Sequence, residues 1–252
     1  NELPLLIAGG ILFVFCLVLL SSHTIVEKDG ALYVGQSTYG DLAMHLGFIS
    51  SIAVQGKFPP MYSICPDKPV CYPFLSESIG STFYLFGTSL RFATMLTAAY
   101  AFLLVILGVY FFFEEWLAER RKAIFAMQLF YVGGGFGSWY FFDLIKANPE
   151  NLSRLFVAFY ETPTNFVPNG LRWVNPIADM MIPQRALLFG WALLFPCLFL
   201  LHRASFKRET NAFLPLAVLA GCLPLVHTHS FLALGMISGF YLLRSIVRQQ
   251  GK

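Results

Sequence analysis

Long apolar blocks, separated by short polar breaks, run along this chain, and the blocks are apolar on every side rather than along one helical face. Leu3–Ser21 carries no charge, and Phe92–Phe113 repeats the pattern. About 20 apolar residues in a helix match the ~30 Å hydrocarbon core of a bilayer. Hydropathy and helix breakers together predict about six spans, at 3–21, 91–113, 123–143, 184–202, 212–226 and 230–244. The last two are short, and a single bent or re-entrant element around Pro224 and His227-Thr228-His229 is the alternative reading. No stretch alternates with period two, so of the two backbone solutions open in lipid the chain takes helices rather than a closed barrel. The expected fold is an all-α, polytopic transmembrane helical bundle forming one domain over residues 1–252.

Two long connections, 22–90 and 144–183, interrupt the spans, and segments of that length are often functional. Asp41–Val54 places Leu42, Leu46, Ile49 and Ala53 near one face, which predicts a helix lying at the membrane interface. Tyr72–Phe86, preceded by prolines and rich in aromatics, predicts a second interfacial helix in the same external loop.

Composition sharpens the class. Hydrophobic residues make up 57% of the chain and charged ones only 12%, with a mean hydropathy of +0.64. A soluble domain carries about 25% charged residues. The net charge of +3 gives no basic field for nucleic acid. Leu3–Ser21 lacks a basic leader and an obvious small-residue cleavage site, so it reads as a retained span. The chain opens on Asn1 rather than Met, which suggests a chain that is processed or incompletely represented. Basic residues gather at Arg120-Arg121-Lys122, at His202-Arg203 with Lys207-Arg208, and at Arg244 with Arg248. Six crossings would put all three clusters on one side, the cytoplasmic one by the excess of Lys and Arg in cytoplasmic loops. The long connections then face the opposite side. The location is an integral membrane: the plasma membrane in a prokaryote, the endoplasmic reticulum membrane in a eukaryote.

Candidate chemistry sits in those connections. Asp41 and His45 are four residues apart and share a helical face beside the first span. Asp41 either supports the helix start after Gly40 or acts as a general base towards a substrate arriving along the membrane. Glu77, on the second interfacial helix, is either a second carboxylate or a solvated residue, and the solvated position is the expected one. The second connection holds Asn165, Asn169, Arg172, Trp173, Asn175 and Asp179 before Pro183-Gln184-Arg185. Arg185 opens an apolar span, where its guanidinium either snorkels to the headgroups or grips a phosphate with Gln184 assisting. His227-Thr228-His229-Ser230 breaks the last apolar region, and ionisable groups at such depth are functional candidates. His227 and His229 face apart on a regular helix and converge only if the chain turns; a divalent metal shared with His45 is conceivable but matches no zinc signature. Gly133-Gly134-Gly135-Phe136-Gly137 has no Lys-Ser/Thr after it and suits helix packing or a kink rather than a phosphate loop. Cys16, Cys197 and Cys222 lie in apolar spans as packing residues, whereas Cys65 and Cys71 flank Pro66-Asp67-Lys68-Pro69 where a disulfide is plausible on an oxidising side.

Gly40-Asp41 with His45, Phe58-Pro59-Pro60, Tyr72-Pro73-Phe74-Leu75 and Phe86-Gly87 ahead of Arg91 follow one another in an order that resembles the GT-C superfamily of integral membrane glycosyltransferases. Pro183-Gln184-Arg185 and His227-Thr228-His229-Ser230 look like motifs of its uncharacterised bacterial and archaeal members. The likeness covers about residues 1–245 in short, degenerate motifs, and such enzymes generally have more spans, so the chain looks like an N-terminal catalytic portion, or a truncated or divergent homologue. The resemblance implies a polyprenyl-phosphate-linked sugar as donor and inverting transfer to an acceptor the sequence does not identify. Asp41 would be the base that deprotonates the acceptor hydroxyl, and Arg185 would stabilise the departing phosphate. His45, Glu77, Gln184, His227 and His229 would belong to the substrate site. Metal dependence is not fixed by the likeness, and membrane lipids and further membrane subunits are the other expected partners. Two other classes stay open: a transporter or lipid flippase using the same ionisable residues as a path, and a non-catalytic subunit of a larger membrane complex.

Overall fold

The computed structural model describes residues 2–250 other than 36, 37, 39, 66, 134–137, 154–169 and 171–173, with the side chains of 138, 139, 141 and 248–250 also left aside. Asn165, Asn169, Arg172, Trp173 and the glycine run from Gly134 therefore lie outside the described residues. The chain forms α1 (Leu3–His23), a hairpin of β1 (Val26–Lys28) and β2 (Ala31–Tyr33), α2 (Asp41–Gln55), α3 (Leu75–Leu85), α4 (Leu90–Leu117), α5 (Arg120–Val132) and α6 (Ser138–Ala147). A π-helical turn at Pro176–Met181 leads into α7 (Arg185–Phe206), and α8 (Phe213–Val226) and α9 (Thr228–Gln250) complete it. Among the described residues the fold is all-α apart from the hairpin, whose Asp29-Gly30 turn has both residues at positive φ (54° and 74°), the type I′ geometry that suits the twist of paired strands.

Among the described residues, four helices are long and apolar enough to cross a membrane: Leu3–His23, Leu90–Leu117, Arg185–Phe206 and Thr228–Val247. They make this an integral membrane protein. The other two predicted spans differ in form. Helix α8 has 14 residues, about 21 Å at 1.5 Å per residue, short of the hydrocarbon core. In the predicted 123–143 span, α5 ends at Val132, where Gly133 turns to an extended ψ of 129°, and α6 starts afresh at Ser138. The last apolar region forms two helices, α8 and α9, that pack on each other and on α7.

The main helix pair is α4 with α7. Ser89 Oγ caps α4 by accepting from the Phe92 N–H at 3.1 Å. Gly108 lets the two backbones close: a Cβ there would lie 3.0 Å from Phe195 Cβ and 3.4 Å from Pro196 Cδ. Small residues at such crossings bring helices together in lipid, where packing rather than hydrophobicity drives association. Phe102, Val105, Ile106 and Val109 of α4 pack in the core with Cys16 of α1, Met127 of α5 and Leu188 of α7.

Side-chain contacts sort the molecule into two ends. At one, Arg120 pairs with Glu2 at 2.5 Å and with Glu114 at 3.0 Å, and Glu115 meets Lys207 at 2.5 Å and His202 at 3.5 Å. Arg244 lies 4.9 Å over the Phe206 ring at the same end. The three basic clusters of the sequence thus gather on one side, as expected. At the other end, Arg91 donates to the Ser21 carbonyl (3.2 Å) and the Thr24 carbonyl (3.3 Å), closing the C-terminus of α1 against the start of α4. Helices α2 and α3 pack on each other and onto α4 at that end.

Candidate functional site

Helix α2 buries Leu42, His45, Phe48 and Ile49, the spacing of one helical face, and ends at Gly56 in the left-handed region (φ 56°). Helix α3 is unusual because its buried face is polar and small: Ser76, Glu77, Gly80 and Ser81. A Cβ at Gly80 would meet Ile49 Cδ1 at 3.0 Å and Arg185 Nη2 at 3.3 Å, so its absence brings α3 against both α2 and α7. The Ser81 hydroxyl donates to the Ile49 carbonyl at 2.6 Å and fixes the two short helices together.

Between them lies a buried charge network. His45 Nδ1 and Glu77 Oε1 are 2.7 Å apart, and both side chains are 0% exposed. Arg185 Nε stands 3.9 Å from the same carboxylate oxygen. The guanidinium also donates to the Thr94 carbonyl at 3.1 Å, the Ser76 carbonyl at 3.4 Å and the Thr97 hydroxyl, and lies 5.0 Å from the Phe189 ring centroid. The Ser76 hydroxyl donates to Glu77 Oε2. The network therefore joins α2, α3, α4 and α7.

Burial alone pushes the Glu77 carboxyl upward, but the hydrogen bond and charge of His45, then Arg185 and Ser76, outweigh it and hold the group below its usual range. An ionised Glu77 accepts the Nδ1–H of His45. The outer nitrogen of the ring, Nε2, is buried and has no hydrogen-bond partner among the described residues. Tyr72 stands edge-on to this imidazole, with ring centroids 5.9 Å apart. Its phenol is pushed up to about 12, first by burial and then by the negative charges of Glu77 and Asp41.

Several expectations change here. Glu77 is fully buried rather than solvated, because α3 turns its polar face into the bundle. Arg185 neither snorkels nor stands open to a phosphate: it is 3% exposed and bound to Glu77, two carbonyls and Thr97. Asp41 and Gln184 are exposed at the first turns of α2 and α7. His227 and His229 do converge, with centroids 5.4 Å apart, because His227 is extended (φ −160°, ψ 102°) between α8 and α9. His227 Nδ1 sits 2.8 Å from Ser230 Oγ, and its Cβ fills the space left by Gly190. Among the described residues no three of His, Cys, Asp or Glu cluster as a metal site. Cys65 and Cys71 are exposed free thiols rather than a disulfide. Main-chain bonds close their loop instead, from Tyr62 N–H to the Lys68 carbonyl and from Val70 N–H to the Pro60 carbonyl, each 2.8 Å. Asn175 caps the π-helical turn through Ile177 N–H and Ala178 N–H, and Asp179 accepts from the Asn175 N–H at 2.9 Å.

Sequence reasoning missed Ser76, Thr94 and Thr97. Two threonines three apart in an otherwise apolar span were the available signal, since they line one helical face.

Beside the network lies an apolar cavity of about 610 Å³ between α3, α4, α7 and α8. Ser76, Thr97 and Phe189, all touching Arg185 or Glu77, form its border. Its outer wall includes Tyr100, 62% exposed, and Ile79, 43% exposed. Compared with known proteins, the chain matches no family model, no curated protein and no solved structure.

Proposed function

We propose that the protein is a membrane glycosyltransferase that moves a sugar, with inversion, from a polyprenyl-phosphate donor to an acceptor at the membrane face opposite its basic clusters. The observation that carries this reading is the apolar cavity that opens on the lipid-facing surface and ends at Ser76 and Thr97 of the buried network. An isoprenoid chain suits such walls, and its phosphate would emerge where the polar residues gather. Asp41, exposed on the first turn of α2, serves as the base that takes the proton of the acceptor hydroxyl. That oxygen attacks the anomeric carbon while the sugar–phosphate bond breaks and the electron pair leaves with the phosphate. Gln184 and His229, both exposed at this end, are the side chains open to polar contact with donor or acceptor. Arg185 is placed one hydroxyl away from the cavity, through Thr97, and acts by holding the site's shape and charge.

A second reading has its own observation. His45 and Arg185 both spend their charge-bearing contacts on the buried Glu77 carboxylate, which also suits a non-catalytic subunit that uses the network as a structural pin within a larger membrane complex.

The test is sugar release by purified protein from a panel of polyprenyl-phosphate sugars, with Asp41→Asn alongside. Turnover by the wild type that disappears in a folded Asp41→Asn variant supports the transferase. Absence of turnover with every donor, in protein of unchanged thermal stability, supports the subunit.

A further inference from the structure

The basic end carries a second cavity, about 1000 Å³, between the end of α7, the start of α8 and the last turns of α9. We infer that it binds the headgroup of an anionic phospholipid from the leaflet on the basic side, with Arg208 and Arg244 meeting the phosphate and the apolar walls taking the acyl chains.

The cations of this end divide into two sets. Arg120 pairs with Glu2 and Glu114, Lys122 with Glu119, Arg203 with Glu209 and Lys207 with Glu115. Arg121, Arg208 and Arg244 have no carboxylate within ion-pair distance among the described residues, and of these only Arg208 and Arg244 share the cavity. Two uncompensated guanidinium groups around one hollow attract an anion, and their planar forks suit phosphate oxygens.

Among the described residues, the local fold leaves Arg208 unpaired and holds Arg244 in place. Arg203 takes Glu209 in a two-pronged pair at 2.7 and 2.8 Å, which leaves the neighbouring Arg208 without that partner. Arg208 itself sits in the left-handed region (φ 58°) just past the end of α7, where Glu209 N–H bonds back to the Arg203 carbonyl and the chain turns towards α8. Arg244 is laid over the Phe206 ring at 4.9 Å, and Phe206 is braced edge-on by Tyr241 at 5.0 Å. Ser205, Ser238 and Ser245 add hydroxyl donors to the lining, while Leu216 and Leu242 supply apolar wall. Cations and hydroxyls over a hydrocarbon surface match a phosphate on acyl chains better than a free anion, and basic pockets between helices on the cytoplasmic side are where such headgroups bind.

The experiment is native mass spectrometry of the detergent-purified chain, titrated with dioleoyl phosphatidylglycerol, dioleoyl phosphatidylcholine or glycerol phosphate. Wild type, R208Q/R244Q, each single variant and R121Q are compared. Phosphatidylglycerol is expected to bind the wild type saturably and to lose affinity on the order of 30-fold in R208Q/R244Q, from about fivefold for each cation near the surface. R121Q retains wild-type affinity, and phosphatidylcholine and glycerol phosphate bind more weakly. Should the double variant fail to fold, each single variant is expected to show about half of the loss on a logarithmic scale. Equal weakening by R121Q would reduce the effect to diffuse surface charge and overturn the site. So would equal affinity for phosphatidylcholine, tight binding of glycerol phosphate, or the absence of saturable binding to folded wild type.

Discussion

His45 Nδ1 and Glu77 Oε1 lie 2.7 Å apart with both side chains sealed from solvent, and this pair is the joint between the two short helices and the membrane bundle. Arg185 completes it from α7. Charges so placed are costly to strand, because the partner left behind keeps its desolvation without its counter-charge. A neutral amide at position 77 alone should therefore hurt more than neutralising Glu77 and Arg185 together. Glu77→Gln is expected to cost about 3–5 kcal/mol and to lower the melting temperature in detergent by roughly 10 °C. Combining it with Arg185→Met should recover part of that loss. Additive losses in the double variant would mean that the two side chains do not act as a pair.

Glu77 of this network and His227 between α8 and α9 together predict a pH dependence with two separable limbs. Glu77 is held below its usual range, so its contribution is full above the unfolded carboxyl value and is lost as pH falls through the lower folded one. His227 is lowered from 6.5 to about 4, by burial first and by the neighbouring His229 second. Its neutral form is favoured in the fold, so its contribution is full above pH 6.5 and declines from there towards pH 4. Melting temperature measured from pH 8 to pH 3 should thus begin to fall near pH 6.5 and steepen in the carboxyl range. His227→Gln should remove the upper limb and Glu77→Gln the lower. A curve unchanged by either substitution would count against both assignments.

Helix α7 depends on Gly190 for its approach to the end of α8. A Cβ there would sit 2.3 Å from His227 Cβ, so backbone must move. Gly190→Ala is expected to cost about 1–3 kcal/mol as overpacking. Gly221→Ala, where nothing lies within 4 Å, should be neutral or stabilising by a few tenths, since alanine is the better helix former. Thermal denaturation of the two variants side by side gives the comparison, and equal behaviour would refute the close approach.

Orientation follows from the division into a basic end and a network end. Cys65 and Cys71 are exposed free thiols in the loop between α2 and α3, on the side opposite the basic clusters. A membrane-impermeant maleimide should label them in intact cells without reductant, and Cys65→Ser/Cys71→Ser should abolish the signal. A cysteine placed at exposed Ser245 in that background should label only after permeabilisation. The reverse pattern would invert the topology.

The sequence by itself determined the class, the ends and the short helices. Hydropathy and the sign of charges are properties of local stretches, so α1, α4, α7 and α9, the one-sided basic clusters and the existence of α2 could be read without knowing any contact, whereas its buried face turned out to be Leu42, His45, Phe48 and Ile49 rather than Leu42, Leu46, Ile49 and Ala53. It also marked Asp41, His45, Glu77 and Arg185 as ionisable residues near a membrane surface. What it did not determine was which of them face inwards. Glu77 looks like a solvated helix residue until Gly80 lets α3 press on Ile49 and Arg185. Arg185 looks like a snorkelling cation until Thr94, Thr97 and Ser76 are folded around it. His45 and Glu77 are 32 residues apart, and Arg185 and Ser76 are 109 apart. Only tertiary packing decides such pairs, because a charge is stable in the interior solely through partners that the chain brings from elsewhere.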